Sequence, residues 1–574
     1  MVCWIYGIAP SFTIGRRIIY GNKSILALES RMKRSINKSL ALQRRANELI
    51  AHGALTNSKH PKTFVEGVYP THVNAAHKCY VTDADGNRYI DFICALGTNL
   101  FGYANSDIGR HVFDKYAFGG AVCSLSSVEE VELAEKLQGT FPFLERMRFL
   151  KTGSEGCQSA ILIARAYHGH DYDNEDLQEM LFKEAVFRIS QEGGLDRWSS
   201  QRMQDLCQGV SGSTSNSRNK SASKQEVLAN PPGESDRTSS KNKEAAKSQE
   251  SWPGQSLLSN QKSPPLWGTH QAIVRSMWER ELSSPSSRLR EALGNKLAVP
   301  GVPRKGARWL VLSDGYHGHA SEFVSLTKPS SGVPPHFGIL PLTKNEHLIR
   351  IAAAVIIEPV ITDFSENRVN YIHSLRETCT KHGTILIFDE TITAYRFKDF
   401  SVAKATGITP DLWIGGKAIA GGFPLSVVGG KKEIMEADYF VSSTWAGDRL
   451  AINAAIKANE LVHGPFHPND LWGMGKTFLE KFNSLSSKIK VNGYPTRGVF
   501  ECEDLTFKAL FWQECCKAGV LFGPSWFYNK FLHAEMDNVI SICKSVIKNI
   551  EDGKVQIEGK LPVSPFAQRV RDAN

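Results

Sequence analysis

TILIFDE at residues 384–390 and DLWIGGKAIAGGFPLSVVGG at 411–430 decide how this chain folds. Both hold short runs of aliphatic and β-branched residues without polar alternation, the pattern of strands buried on both faces. Upstream, AAVIIEPV at 353–360 and RWLVLSDGYHGH at 308–319 repeat it, and MRFLKTGSEGCQSAILIARAYHG at 147–169 gives a strand, a Gly-containing turn and a helix in succession. Buried strands alternating with helices predict an α/β fold with a mostly parallel, covered sheet.

The flanks read differently. RSINKSLALQRRANELIAHG at 34–53 has helical spacing and stops at a glycine, and CYVTDADGNRYIDF, Cys79 to Phe92, places two β-rich runs around Asp85-Gly86, a hairpin signal. Helices are expected from Val128 to Leu137 and over HAEMDNVISICKSVIKNIEDG at 533–553. From about Asp171 to Lys305 the composition changes, and residues 209–251 are rich in Ser, Asn, Lys and Gly and nearly free of large apolar side chains. Such a stretch cannot bury enough surface to offset its ordering entropy, so 171–305 reads as a mostly disordered insertion with short helices at 175–189 and 270–282. The expected division is an N-terminal segment 1–84 belonging to a smaller α+β domain, a large domain of 85–170 and 306–435, the insertion, and a C-terminal small domain 436–574.

Composition narrows the function classes. At 574 residues, 41% hydrophobic and 22% charged, the chain has the balance of a globular protein of two or three domains. A net charge of +9 over that length argues against a surface built for nucleic acid. The eleven cysteines lack any C-x-x-C pair or metal-ligand spacing, which points to a reducing, cytoplasmic setting and to no metal. No run of eighteen apolar residues suggests a membrane span, and in MVCWIYGIAPSFTIGRRIIYG the charge follows the apolar stretch, so no signal peptide is expected.

Four places carry chemistry. Asp389 and Glu390 end a buried strand, and ligands of open α/β sheets collect at that edge. A carboxylate there suits a protonated pyridine nitrogen, although an Asp after a strand is, by itself, more often a helix cap. Lys417 stands among glycines after the next strand, and a flexible amine with an easily lowered pKa suits an imine with an aldehyde cofactor. Alone it would read as a solvated turn residue; the aspartate before it reverses that. Thr152, Gly153 and Ser154 open a helix and form a phosphate cradle or a plain N-cap, and Tyr316 and His317 follow a strand as a stacking aromatic and its neighbour or as core residues.

In this order and spacing the four elements resemble the class III aminotransferases, nearest to glutamate-1-semialdehyde aminomutase-like enzymes. TGSEG, the Tyr-His-Gly-His of 316–319, Glu358-Pro-Val, DET and GGK all match family motifs, over nearly the whole chain outside the insertion. The resemblance implies the fold type I architecture of pyridoxal 5′-phosphate (PLP) enzymes, with a seven-stranded type of sheet and a smaller α+β domain, and amino-group transfer on a small amino or oxo substrate, between molecules or within one. It further implies Lys417 and Asp389 as the catalytic pair, Lys417 holding the cofactor and Asp389 at its ring nitrogen. Gly153 and Ser154 fall at the phosphate, Tyr316 on the ring, and His317, Glu358 and Thr391 around it. Thr444, in SSTWAG, matches a threonine that reaches the phosphate of the neighbouring subunit, which implies a homodimer with shared sites.

The departures are Thr391 for the family's valine, Asp363 for an asparagine near the cofactor's phenolic oxygen, and no substrate-gripping arginine in ALTNSKHPKTFVEGVYP at 54–70. A racemase or epimerase using the same lysine and aspartate, or a non-catalytic scaffold, remains a competing reading.

Overall fold

The computed structural model describes residues 34–168, 311–319, 337–339 and 346–563. The expected insertion at 171–305, with its two short helices, and the N-terminal twenty residues lie outside the described residues. Among the described residues no helix is long and apolar enough to cross a membrane.

The chain enters through helix α1 (Asn37–Leu49) and a hairpin-based sheet of β1 (Val73–His77), β2 (Tyr80–Asp83) and β3 (Arg88–Asp91). The hairpin expected around Asp85-Gly86 is β2 and β3, with Gly86 at φ 93°, where a side chain would be strained. Asp85 also accepts the N–H groups of Lys38 and Ser39, both at 2.8 Å, which caps α1. Helix α1 is shorter than the 34–53 expected, because Ile50 turns extended at φ −118° and ψ 127° and ends it, and His52 and Gly53 lie in the short turn that follows. Helices α2 (Ser106–Gly119) and α3 (Val128–Thr140) lead to the main sheet.

That sheet has seven strands: β4 (Arg146–Leu150), β5 (Val311–Asp314), β6 (Phe337–Ile339), β7 (Ala354–Ile357), β8 (Ile385–Glu390), β9 (Leu412–Gly415) and β10 (Ser426–Gly430). Their order is β4-β10-β9-β8-β7-β5-β6. From β9 across to β6 every pairing is parallel, and only β10 runs antiparallel to its neighbours. Every residue of β7, β8, β9 and β10 is buried, which is why these strands read as unbroken aliphatic runs. Helix α4 (Gly153–His168) covers one face, packing Ile161 and Ala164 with Ile356, Ile387, Ile414 and Val428.

Parallel register decides where the chemistry sits. Ile357 pairs with Phe388 and Asp389 with Ile414, so the residues just beyond β5, β7, β8 and β9 emerge at one edge of the sheet. Strand β4, antiparallel to the one reversed strand, points the same way and delivers the start of α4 there.

The rest of the chain adds α5 (Glu366–His382), α6 (Val402–Thr406), α7 (Arg449–Val462), α8 (Pro468–Asn483), α9 (Leu505–Lys517) and α10 (Met536–Glu551), the last within the expected 533–553. Strands β11 (Lys490–Tyr494), β12 (Arg497–Glu501) and β14 (Trp526–Phe527) form a small antiparallel sheet, while β13 (Val520–Leu521) joins β3 in parallel. Their core is aromatic, with Phe92, Phe478, Phe500, Phe511 and Trp526 in one cluster.

Candidate active site

Two adjacent carboxylates at the end of β8 have separate roles. Glu390 is fully enclosed and accepts the N–H groups of Val402 (2.6 Å) and Ala403 (3.0 Å), the Thr393 hydroxyl (2.7 Å) and the Trp413 indole N–H (3.2 Å). It holds the start of α6 and is spent on structure; burial raises its pKa and these donors oppose the rise.

Asp389, its neighbour, points the other way across the strand. Its Oδ2 accepts His317 Nδ1 at 2.9 Å and the Cys157 thiol at 3.3 Å, and its Oδ1 accepts the N–H of Thr391 at 3.0 Å. Burial pushes this carboxyl's pKa up, but the His317 ring and then Thr391, through its hydroxyl and its N–H, outweigh it, so the net direction is down and the group stays ionised. An ionised carboxylate has about four acceptor positions. Three are filled among the described residues, which leaves one, on Oδ1.

Lys417 begins the turn between β9 and β10 in the left-handed region, φ 46°, a strained placement for a residue with a side chain. Burial lowers its pKa from the ordinary lysine range to about 8, against the opposing charges of Asp389 and Glu358. At pH 8 about half of such amines are neutral, against roughly one in three hundred for an unperturbed lysine.

The start of α4 is a reciprocal cap. Thr152 Oγ1 accepts the Glu155 N–H at 3.2 Å, and the Glu155 carboxylate accepts the N–H groups of Thr152 (3.0 Å) and Lys151 (2.7 Å). The N–H groups of Gly153 and Ser154 are left with no acceptor among the described residues. These donors and the helix dipole make a site for an anion. Three elements meet here on Thr391: a Cβ added at Gly153 or at Gly416 would come within 2.9 Å or 3.0 Å of its methyl carbon. The turn after β5 packs against the same spot, with the Ser154 hydroxyl accepting the His319 N–H at 3.2 Å, and Glu358 accepts the Tyr316 N–H at 2.6 Å.

The structure thus gathers Gly153, Ser154, Tyr316, His317, Glu358, Asp389, Thr391 and Lys417 at one sheet edge. Thr444 is exposed, on the loop before α7, four residues ahead of Asp448, which pairs with Lys151, and it makes no contact with the other site residues among the described residues. Asp363 is exposed as well and accepts the N–H and hydroxyl of Ser365 at 2.8 Å and 3.1 Å, in the turn that starts α5.

Sequence reasoning missed Cys157 and two buried arginines whose charges bear on Lys417. Arg396 donates to the carbonyls of Tyr528 (3.0 Å) and Gly97 (2.6 Å), and Arg497 to that of Ile361 (2.7 Å). The Nε atom of each has no partner among the described residues. Cys157 lies four residues after Gly153, one helical turn along, and that spacing was the available signal. For the arginines, which come from separate parts of the chain, there was none.

An anion cradle, one open acceptor position on a buried carboxylate and a half-buried amine with a lowered pKa fit a phosphorylated pyridine aldehyde. The sequence pattern of the family described as Aminotransferase class-III matches residues 65–223 and 296–526. The chain belongs to that family. It is a PLP-dependent enzyme of amino-group transfer with the fold type I architecture. Among curated relatives, the glutamate-1-semialdehyde 2,1-aminomutase of Symbiobacterium thermophilum is 24% identical over 437 residues, 75% of this chain and 73% of that protein. The protein of the same name from Methanocella arvoryzae is 21% identical, covering 84% of this chain and 93% of its own. Among solved structures, the FumI protein of Sphingopyxis sp. MTA144, in its PLP internal aldimine form, superposes with a TM-score of 0.62 at 16% identity, covering 92% of this chain and 99% of that one. An omega-transaminase from Sphaerobacter thermophilus gives 0.60 at 17% identity, covering 89% and 98%.

Proposed function

We propose that Lys417 holds the PLP aldehyde carbon and serves as the proton carrier, that Asp389 holds the ring nitrogen protonated, and that the N–H groups of Gly153 and Ser154 receive the phosphate. The single observation behind this is the meeting of a half-buried amine, a nearly saturated ionised acid and two unengaged helix N–H groups at one sheet edge. When bound, the protonated pyridine supplies an electron sink for a carbanion. The lowered pKa of Lys417 lets Nζ take and return a proton near neutral pH, as general base and then acid. Asp389 Oδ1 would offer its remaining acceptor position to the protonated ring nitrogen, and Tyr316, His317, Glu358 and Thr391 would shape the ring's surroundings. Arg396 and Arg497 add positive charge on the lysine side, which favours a small amino or oxo substrate that carries a carboxylate.

Transfer between two molecules is the main reading. Transfer within one molecule is the second, favoured by the aminomutase names of the curated relatives. Full-length protein loaded with PLP and offered single amino donors separates them: a donor that turns over only with a separate oxo acceptor supports the first, and one that isomerises alone supports the second. Failure of every donor to change the visible spectrum would count against both.

A homodimer with shared sites belongs to the same proposal. Its support is a band of exposed apolar side chains, Phe113, Phe118, Leu125, Val128 and Val131 on α2, α3 and the loop between, with Phe440 and Trp445 flanking Thr444. The division of the chain at 84, 170, 305 and 435, and a cytoplasmic setting suited to its nine described free thiols, complete the reading.

A further inference from the structure

Cys157, His317 and Asp389 are buried together, exposed by 1%, 2% and 5% respectively. Both the thiol and the imidazole nitrogen address the same oxygen, Oδ2, from different elements: Cys157 from the second turn of α4 and His317 from the turn after β5. The His317 ring and the Thr391 N–H hold one oxygen each, which leaves the carboxylate a residual swing about its Cβ–Cγ bond. With two donors converging on Oδ2 and the Thr391 N–H on Oδ1, that rotation is fixed. We propose that Cys157 is a positioning residue for Asp389, its S–H locking the carboxylate so that Oδ1 is the oxygen presented to the cofactor's ring nitrogen. The proposal rests on the reading of Asp389 as the ring-nitrogen acid.

The thiol can act only as a donor. Burial, and then the charge of Asp389, hold it protonated far above the ordinary cysteine range, so neither thiolate chemistry nor disulfide exchange competes with the hydrogen bond. The donor atoms of the three side chains lie within 4.8 Å of one another, close enough to hold a metal ion. Both contacts to Oδ2, however, are at hydrogen-bond length, and a proton on each donor accounts for them without a cation. Helix α4 also couples the two ends of the site: its first residues carry the phosphate donors, and one turn later Cys157 sets the acid. A shift of the helix start is therefore felt at the ring nitrogen.

The test is on the full-length holoenzyme, with PLP labelled with 15N in the ring. Cys157→Ala should move the ring-nitrogen resonance toward that of Asp389→Asn, lower kcat about tenfold and leave KM for the amino donor within about twofold, the loss of one hydrogen bond to a charged group. Cys157→Ser, which keeps a donor, should return the resonance and most of kcat. A wild-type resonance and kcat in a folded Cys157→Ala overturns the proposal. If Cys157→Ala does not fold, Cys157→Ser decides: a wild-type resonance supports donor positioning, and a resonance like that of Asp389→Asn overturns it. Should Asp389→Asn itself keep wild-type turnover, the underlying reading of Asp389 fails instead, which separates the two failures.

Discussion

At the start of α4, two backbone N–H groups wait at a partly exposed helix end with no acceptor among the described residues, whereas at the end of β8 a buried carboxylate already has three of its four positions filled. The first end relies on backbone geometry, which any sequence able to form the turn supplies. The second relies on particular side chains from three elements. Affinity for the cofactor should therefore respond most to backbone changes at Gly153, and chemistry most to side-chain changes around Asp389 and Lys417.

On the proposed assignment, Lys417→Ala would remove the covalent attachment and the proton carrier together. It should abolish the visible absorbance and borohydride-fixed label and lower turnover by about 10⁴-fold or more; retention of the label would reject Lys417. The wild-type amine makes a finer test. With its pKa at about 8, the rate of PLP uptake by apo-protein should climb to about pH 8 and then level off, whereas an ordinary lysine would still be climbing near pH 10. The stability of the apo-protein follows the same window. The folded pKa is the lower one, so above about 8 the unfolded chain binds more protons, and stability should rise with pH between about 8 and about 10.5. Lys417→Met should flatten that rise in denaturant titrations.

Asp389→Asn and Glu390→Gln set neighbouring carboxylates against each other. Asp389→Asn should keep cofactor bound and lose about 10²- to 10³-fold in kcat. Glu390→Gln should retain turnover per folded molecule but lose about 2–3 kcal/mol of stability, because two helix N–H groups and an indole lose a charged acceptor. Equal activity losses in the two would dissolve the contrast.

Gly153→Ala tests the backbone end. The added carbon would sit 2.9 Å from the Thr391 methyl and 3.1 Å from its hydroxyl oxygen, closer than side chains normally pack, so the turn or Thr391 must shift. Cofactor affinity should fall about tenfold while kcat at saturation changes little, and adding Thr391→Ser, which deletes that methyl, should recover most of it. No recovery would mean that Thr391 is not what confines the turn.

How much of this was written in the sequence follows the same division. Strands β7, β8 and β9 were legible as aliphatic runs because both of their faces are buried, and Lys417 and Asp389 because each ends such a run. The hairpin at Asp85-Gly86 was legible from its turn. Cys157 carried only its spacing from Gly153, because a cysteine inside a helix reads as core, and it is the register of β5 and β8 across β7 that brings His317 and Asp389 to it. The same holds for Glu390: adjacent in sequence to Asp389, it faces the other side of the strand and meets α6, a contact that no local pattern encodes.

The smallest effect concerns Thr444, which within one chain is exposed and makes no contact with the other site residues among the described residues. Thr444→Asp should weaken cofactor affinity about fivefold by setting a carboxylate near the phosphate. The informative experiment is mixing. If Thr444 serves the partner's site, a subunit with Lys417→Ala still offers its threonine, and one with Thr444→Asp still offers its lysine. Half of randomly assorted dimers would then hold one intact site each, so about a quarter of wild-type sites should return at cofactor concentrations that leave Thr444→Asp alone mostly empty. Mixed samples no more active than the average of the two variants would place Thr444 outside the partner's site, and the exposed apolar band around it would need a different explanation.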